Sequence, residues 1–374
     1  MLTIAGSAFV AGLVMLFVDR EFNGVFFVPG EGGAPVFWQH LFWIYATSAL
    51  FASLLASFGA ISEIVPVFAR RRLPGRYTVS ACFAAIGVLA PLAWMTNMYS
   101  APIPIGFEIA AMVFAAFLAV PILVVVFNWV TTLWGGSVRM RAPLLFALGS
   151  VSLLSLGLAS KLMLASVPVG WALGKSAFGS AAASYQLYGV LLGLLAAVYY
   201  WFPRMTGRAA GEGLARASFW AVLLGANLML LPMFGAGLQG QAPDINEYFA
   251  GADLGAYNLL SSLGALVLVA GLAITLGNLA YHAGRGPLVG HDPWGGATLE
   301  WYALSPPPAN NFDALPDVTS PEPLLDIREA VAARPGARPS PKVEPPSPGD
   351  PAPSDSPAVE ADEPGQDADT QPVA

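Results

Sequence analysis

From Gly32 to Ser62 the chain runs through 31 consecutive residues with no Asp, Glu, Lys or Arg. A helix crossing the hydrocarbon of a bilayer needs about 20 apolar residues and satisfies its own backbone hydrogen bonds. The run therefore reads as a membrane span. Uncharged runs recur at 77–107, 109–138, 176–203, 217–243 and 254–284. Two further spans complete the set: residues 3–18, short and N-terminal, and residues 142–168, interrupted only by Lys161. The sequence thus predicts an all-α integral membrane protein, a bundle of eight transmembrane helices. Only 11% of the residues are charged, against roughly 25% in a soluble domain.

Residues 3–18 lack the positive n-region and the small-residue cleavage site of a secretory signal, so they are kept as a helix. Loop cations orient the bundle, because Lys and Arg in short loops favour the cytoplasmic side. With both termini inside, the inner loops hold Arg70, Arg71, Arg72, Arg76, Arg139, Arg141, Arg204, Arg208, Arg216 and Arg285, and the outer loops only Arg20 and Lys175. The single cysteine, Cys82, lies in a predicted span and excludes an intrachain disulfide framework.

Composition changes after Tyr302. Residues 303–374 hold 17 of the 32 prolines and 13 of the 24 acids, against four basic residues. Such a segment buries too little apolar area to offset its ordering entropy. The chain divides into a membrane domain over 1–302, an extended segment over 303–318 and a disordered, acidic, Pro-rich tail over 319–374. The tail reads first as a solubilising extension and second as a tether for a soluble partner.

Eight short stretches carry a family resemblance: FFVPGEGGAPVFWQHLFW (26–43), FGAIS (58–62), NMYS (97–100), FNWVTTLWGG (127–136), PLLFALG (143–149), YYWFPRMTGR (199–208), DPWGGATLEW (292–301) and SPPP (305–308). In order and spacing they resemble subunit I of cytochrome c oxidase, in the haem-copper oxidase family. The resemblance extends to about residue 318 and implies the last eight helices of that subunit, its C-terminal two-thirds. It also implies a respiratory function, the reduction of oxygen at a haem iron and a copper ion with proton pumping, and an inner membrane of bacterial or organellar type.

That chemistry needs imidazole nitrogen on both metals, and the whole chain has three histidines, none between residues 41 and 281. Aligned without gaps on the family pattern, Thr47 stands at a copper-ligand histidine, Ala49 at the proton-carrying glutamate and Phe51 at the tyrosine of the oxygen chemistry. Thr96 and Asn97 replace the His-His pair on copper. Val125 replaces the proton-pathway lysine, and Ala181, Ala182 and Ala183 replace the His-Phe-His that holds both haems. The arginine pair on the haem propionates falls near Pro243 and Asp244. The resemblance with these departures implies no catalytic residue, no haem and no metal.

His40 falls on the outer face and His282 and His291 on the inner side, so the three cannot form one site and read as structural. Lys161 lies within about two turns of the outer end of its helix and reads as snorkelling to the interface or contacting a partner, ahead of a proton-relay role, although intramembrane cations are functional candidates by default. Glu63 and Glu108 read as interfacial. Small residues at former haem positions lead to the expectation of a collapsed, dry interior, since an unfilled cavity is penalised by volume. Bound lipid or quinone is the alternative.

The stretches retained shape loops and helix packing, whereas those changed touch metals, haem or protons in the family. The reading that follows is a non-catalytic, cofactor-free structural subunit of a respiratory oxidase complex. Its partners would be other oxidase subunits, a companion chain resembling the absent first four helices, and membrane lipids, with no nucleic acid. Two alternatives stand beside it: half of a split subunit I, and a repurposed lipid- or quinone-binding or carrier membrane protein.

Overall fold

Backbone groups in a long apolar run find no side-chain partners and must bond to one another. In the computed structural model they do so as helices. The structure describes residues 1–332 except 246, 249, 313–315, 317 and 319. Over these residues there is no β-strand, only one isolated bridge between Arg208 and Leu288. The helices are α1 (Leu2–Glu21), α2 (Pro35–Ala69), α3 (Arg76–Leu89), α4 (Ile105–Trp134), α5 (Ala142–Ala165), α6 (Val167–Leu173), α7 (Ala177–Thr206), α8 (Glu212–Leu238), α9 (Gly255–Arg285) and α10 (Pro323–Ala332).

Among the described residues seven helices are long and apolar enough to cross a membrane: α2, α3 with its continuation to Asn97, α4, α5, α7, α8 and α9. The predicted first span forms a helix, α1, which is not one of these seven and lies along α2 with Phe9 stacked on Tyr45 at 4.4 Å. The predicted 77–107 span stops at Asn97, since α3 tightens into a 3-10 helix over Ala90–Asn97. Pro91, Pro102 and Pro104 explain the break, each lacking an N–H for the ladder.

Two tight helix pairs set the frame. α8 and α9 approach so closely that a Cβ on Gly225 would lie 2.5 Å from the Leu268 amide, and one on Gly264 2.2 Å from that of Met229. Small residues permit such contact between membrane helices. α5 and α7 form the second pair, packed through Phe146 against Tyr199 at 5.0 Å.

The Arg-rich end is closed by the segment after α9. Trp294 donates its indole N–H to the Tyr200 carbonyl at 2.9 Å, and Trp301 meets the Tyr200 ring edge-on at 5.0 Å. Buried Arg204 donates to the Ala303 carbonyl at 2.6 Å and to the Ser305 hydroxyl at 2.9 Å. The YYWFPR, DPWGG and SPPP stretches therefore form one cap.

The expectation of disorder from residue 319 fails for α10. Leu324 of this helix is 3% exposed within the main core. Arg72 pairs with Asp326 at 2.6 Å and with Glu329 at 2.9 Å, and Arg76 with Glu322 at 3.3 Å. Exposed ion pairs contribute little singly, whereas burying one leucine contributes about 1.5–3 kcal/mol; the acidic composition concealed that anchor. The rest of the expected tail, 333–374, lies outside the described residues.

Two outcomes test this packing. Gly264→Val should lower the thermal midpoint in detergent, since overpacking costs about 1–3 kcal/mol or more. Leu324→Asp should speed proteolysis within 320–332 while the midpoint of the membrane bundle is unchanged.

Candidate functional site

Five of the nine residues singled out from the sequence meet around one cavity of about 350 Å³, where α2, the 3-10 helix, α4, α5 and α7 converge. Thr47 and Phe51 reach it from α2, one helical turn apart. Thr96 and Asn97 reach it from the 3-10 helix, and Ala183 from α7. Leu118 and Ile122 of α4 and Leu154 and Leu158 of α5 supply apolar wall.

The other four do not line it. Val125 is fully buried in the main core, and Ala181 and Ala182 are fully buried in α7. Ala182 packs with Leu164 and Phe178. Ala49 is half-buried, its carbonyl accepting from the Ser53 hydroxyl at 3.0 Å. Pro243 and Asp244 lie in the turn after α8.

The cavity corrects the expected collapse. Bulky aromatics hold the surrounding helices apart: Trp129 on α4 stands edge-on to Phe58 on α2 at 4.9 Å and donates its indole N–H to Ser62 at 3.0 Å. Side chains as short as Ala183 cannot bridge the space that separation leaves.

Lys161 requires a second correction. Its ammonium faces the cavity and donates to Asn97 Oδ1 at 3.4 Å. Asn97 in turn donates through Nδ2 to Thr47 Oγ1 and to the Trp94 carbonyl, both at 3.3 Å. The snorkelling expectation placed Lys161 by depth alone; its direction on α5 depends on which face packs inward, which an almost wholly apolar helix does not disclose. Thr96 bonds back to the Ala93 carbonyl at 2.8 Å, a common arrangement for helical threonine. Gln186, 4% exposed and on the cavity wall, went unnoticed in the sequence. Its signal was the three-residue spacing from Ala183 on one helix face.

Glu108, in the first turn of α4, is 4% exposed, and its Oε2 has no hydrogen-bond partner among the described residues. The first turn of α4 is covered there by Tyr99, which donates to the carbonyls of Ala165 at 2.8 Å and Glu108 at 3.3 Å. Glu63, toward the end of α2, lies 3.8 Å from Arg76.

The three histidines stay apart. His40 meets Trp94 edge-on at 5.1 Å, His282 contacts the Asn278 carbonyl through Nδ1 at 2.9 Å, and His291 Nδ1 accepts from the Ser305 amide at 3.2 Å. Among the described residues no three His, Cys, Asp or Glu side chains are grouped to hold a metal ion. The cavity therefore offers hydroxyl, amide and ammonium groups in an apolar wall, a set suited to holding a head group and not to coordinating a transition metal.

Filling the void should stabilise the fold. Ala183→Leu is expected to raise stability by about 0.5–2 kcal/mol, read as a higher thermal midpoint in detergent; a fall would mean the space is smaller than described.

The family described as "Cytochrome C and Quinol oxidase polypeptide I" matches residues 1–267. Cytochrome c oxidase subunit 1 of Thermostichus vulcanus is 36% identical over 310 residues, 83% of this chain and 56% of that protein. The Bacillus subtilis (strain 168) subunit 1 is 35% identical over 322 residues, 85% of this chain and 52% of that protein. This chain spans about half the length of these relatives. Its fold matches a chain of the cryo-EM structure of a heme-copper terminal oxidase dimer with a TM-score of 0.60 at 18% identity, over 68% of this chain and 50% of that one. The helices, the eight retained stretches and these matches together place the chain in the cytochrome c and quinol oxidase polypeptide I family.

Proposed function

We propose that this family member is a non-catalytic structural subunit of a respiratory oxidase complex, without haem or copper of its own. The observation that carries the reading is the donor set of the cavity. Thr47, Phe51, Thr96, Asn97 and Ala183 line it together, and on the gapless correspondence they replace copper and haem ligands and the tyrosine of the site. A hydroxyl, an amide, a phenyl ring and a methyl group are poor substitutes for imidazole on iron or copper. The Lys161 ammonium at the same wall would further disfavour a second cation. The family's metals do not fit these residues, and no redox step is assigned to them.

The same reading takes Ala49 and Val125 as lost proton-pathway groups, and Ala181, Ala182 and Ala183 as the former haem-ligand region. It counts α1 as an eighth span and orients the Arg-rich end, with both termini, toward the cytoplasm. Residues 1–302 would dock against oxidase chains, residues 303–318 would serve as a family-like extension, and the segment from 319 would carry α10 into a tail on the cytoplasmic side.

A second reading, half of a split subunit I, draws support from the coverage of about half of each relative. A companion chain could supply further helices, but not ligands on the helices already here.

Gentle solubilisation of native membranes followed by mass spectrometry of what copurifies separates these readings. A stable complex containing a different, histidine-bearing subunit I is expected. Isolation with only a short companion chain, as a pair that consumes oxygen, would overturn the structural-subunit reading in favour of the split one.

A further inference from the structure

We infer that the cavity is a binding site for a long-chain fatty-acid carboxylate, with Lys161 holding the head group and the hydrocarbon tail leaving between α4 and α5. The inference is independent of which complex the chain joins.

The polar end comes first. The Lys161 ammonium has three N–H donors, and its one hydrogen bond among the described residues is the long one to Asn97 Oδ1 at 3.4 Å. No carboxylate lies within ion-pair distance of it among the described residues. The charged group that bears on it most is Lys175, of the same sign. A cation inside the membrane region is costly when unpaired and normally meets an anion or several acceptors. An acceptor-only group with two oxygens, the carboxylate, satisfies the free donors and offsets the charge.

Asn97 is already committed. Its Nδ2 donates to Thr47 Oγ1 and to the Trp94 carbonyl, and its Oδ1 faces Lys161. These bonds fix the amide's orientation and aim the ammonium into the space. The polar groups are thus held in place before any ligand arrives, which lowers the ordering cost of binding.

The remaining wall specifies the rest of the ligand. Leu118, Ile122, Leu154 and Leu158 line the interior. Leu123 of α4 and Leu162 of α5 line the same cavity yet are 65% and 41% exposed on the outer surface of the bundle. The cavity therefore opens sideways, on an exposed apolar face of the bundle. About 350 Å³ lies near the lower end of ligand pockets, which run from about 300 to 1,000 Å³. It accommodates a head group and part of a chain, and the lateral opening lets the remainder lie among acyl chains.

A quinone would also bring acceptor oxygens and an apolar tail, but its carbonyls are neutral and leave the charge of Lys161 uncompensated. The carboxylate is favoured on that ground.

The test uses the full chain, with whatever subunits purify with it, in phosphatidylcholine nanodiscs. Radiolabelled palmitate is titrated and competed with unlabelled palmitate, methyl palmitate or decylubiquinone. Saturable binding is expected, displaced by palmitate and not by the ester or the quinone. Lys161→Met should weaken it at least about 10-fold, the lower bound for losing a charge-assisted hydrogen bond, whereas Lys161→Arg should retain most of it. Absence of saturable binding above the phospholipid background would overturn the inference. So would equal displacement by methyl palmitate or decylubiquinone, or wild-type affinity in Lys161→Met. Should the methionine variant fail to fold, the competition series on the wild-type chain decides alone.

Discussion

Trp129 is 2% exposed, lies edge-on against Phe58 and donates its indole N–H to Ser62. This wedge fixes how far α4 stands from α2. A dry helix interface without it would be free to close, because apolar surfaces inside a bilayer gain nothing from excluding water and settle wherever packing is tightest. With the tryptophan in place the helices are propped apart, and the space beyond it cannot be filled by residues as short as Ala183 and Thr47. The cavity is therefore a consequence of bulky packing around a lining of short side chains. Both partners of Trp129 belong to FGAIS and the tryptophan itself to FNW, two stretches that are 65 residues apart in sequence and one contact apart in space.

The same logic runs through the Arg-rich end. Arg204 is buried and would be a liability there unpartnered. Its bonds to the Ala303 carbonyl and the Ser305 hydroxyl join the end of α7 to a segment about 100 residues later. Tyr200, Trp294 and Trp301 seal that joint. These side chains hold backbone and loops in place. Caps and wedges that hold the helices in place while Thr47, Thr96 and Asn97 line the central cavity are what the proposed structural-subunit role requires.

Uncharged run length alone disclosed the helices, because the bilayer leaves the backbone few other choices. The candidate lining was legible too: Thr47, Phe51, Thr96, Asn97 and Ala183 were named from motif positions and come together in the structure. What could not be read was the direction of side chains on helices with no polar face. Lys161 was placed at the interface by its depth, yet it turns inward to Asn97. Glu108 lies near a span end, but its burial beside Tyr99 is not disclosed by that position. The cavity escaped for a related reason: lining residues give the volume removed, whereas the volume left open depends on Trp129 and Phe58, which hold their helices apart from a neighbouring layer. Helix α10 was hidden by composition, since one leucine and a few ion pairs suffice to dock ten residues that otherwise look like acidic linker.

The central claim is that the heart of this oxidase fold no longer holds metals, and it is tested most directly by cofactor content. The chain would be produced in a haem-replete, copper-supplemented host, purified in mild detergent, and assayed by pyridine haemochrome spectrum and elemental copper per chain. Haem and copper far below one per chain are expected. One haem or one copper bound per chain would contradict the claim and would require ligands other than the imidazoles absent between residues 41 and 281.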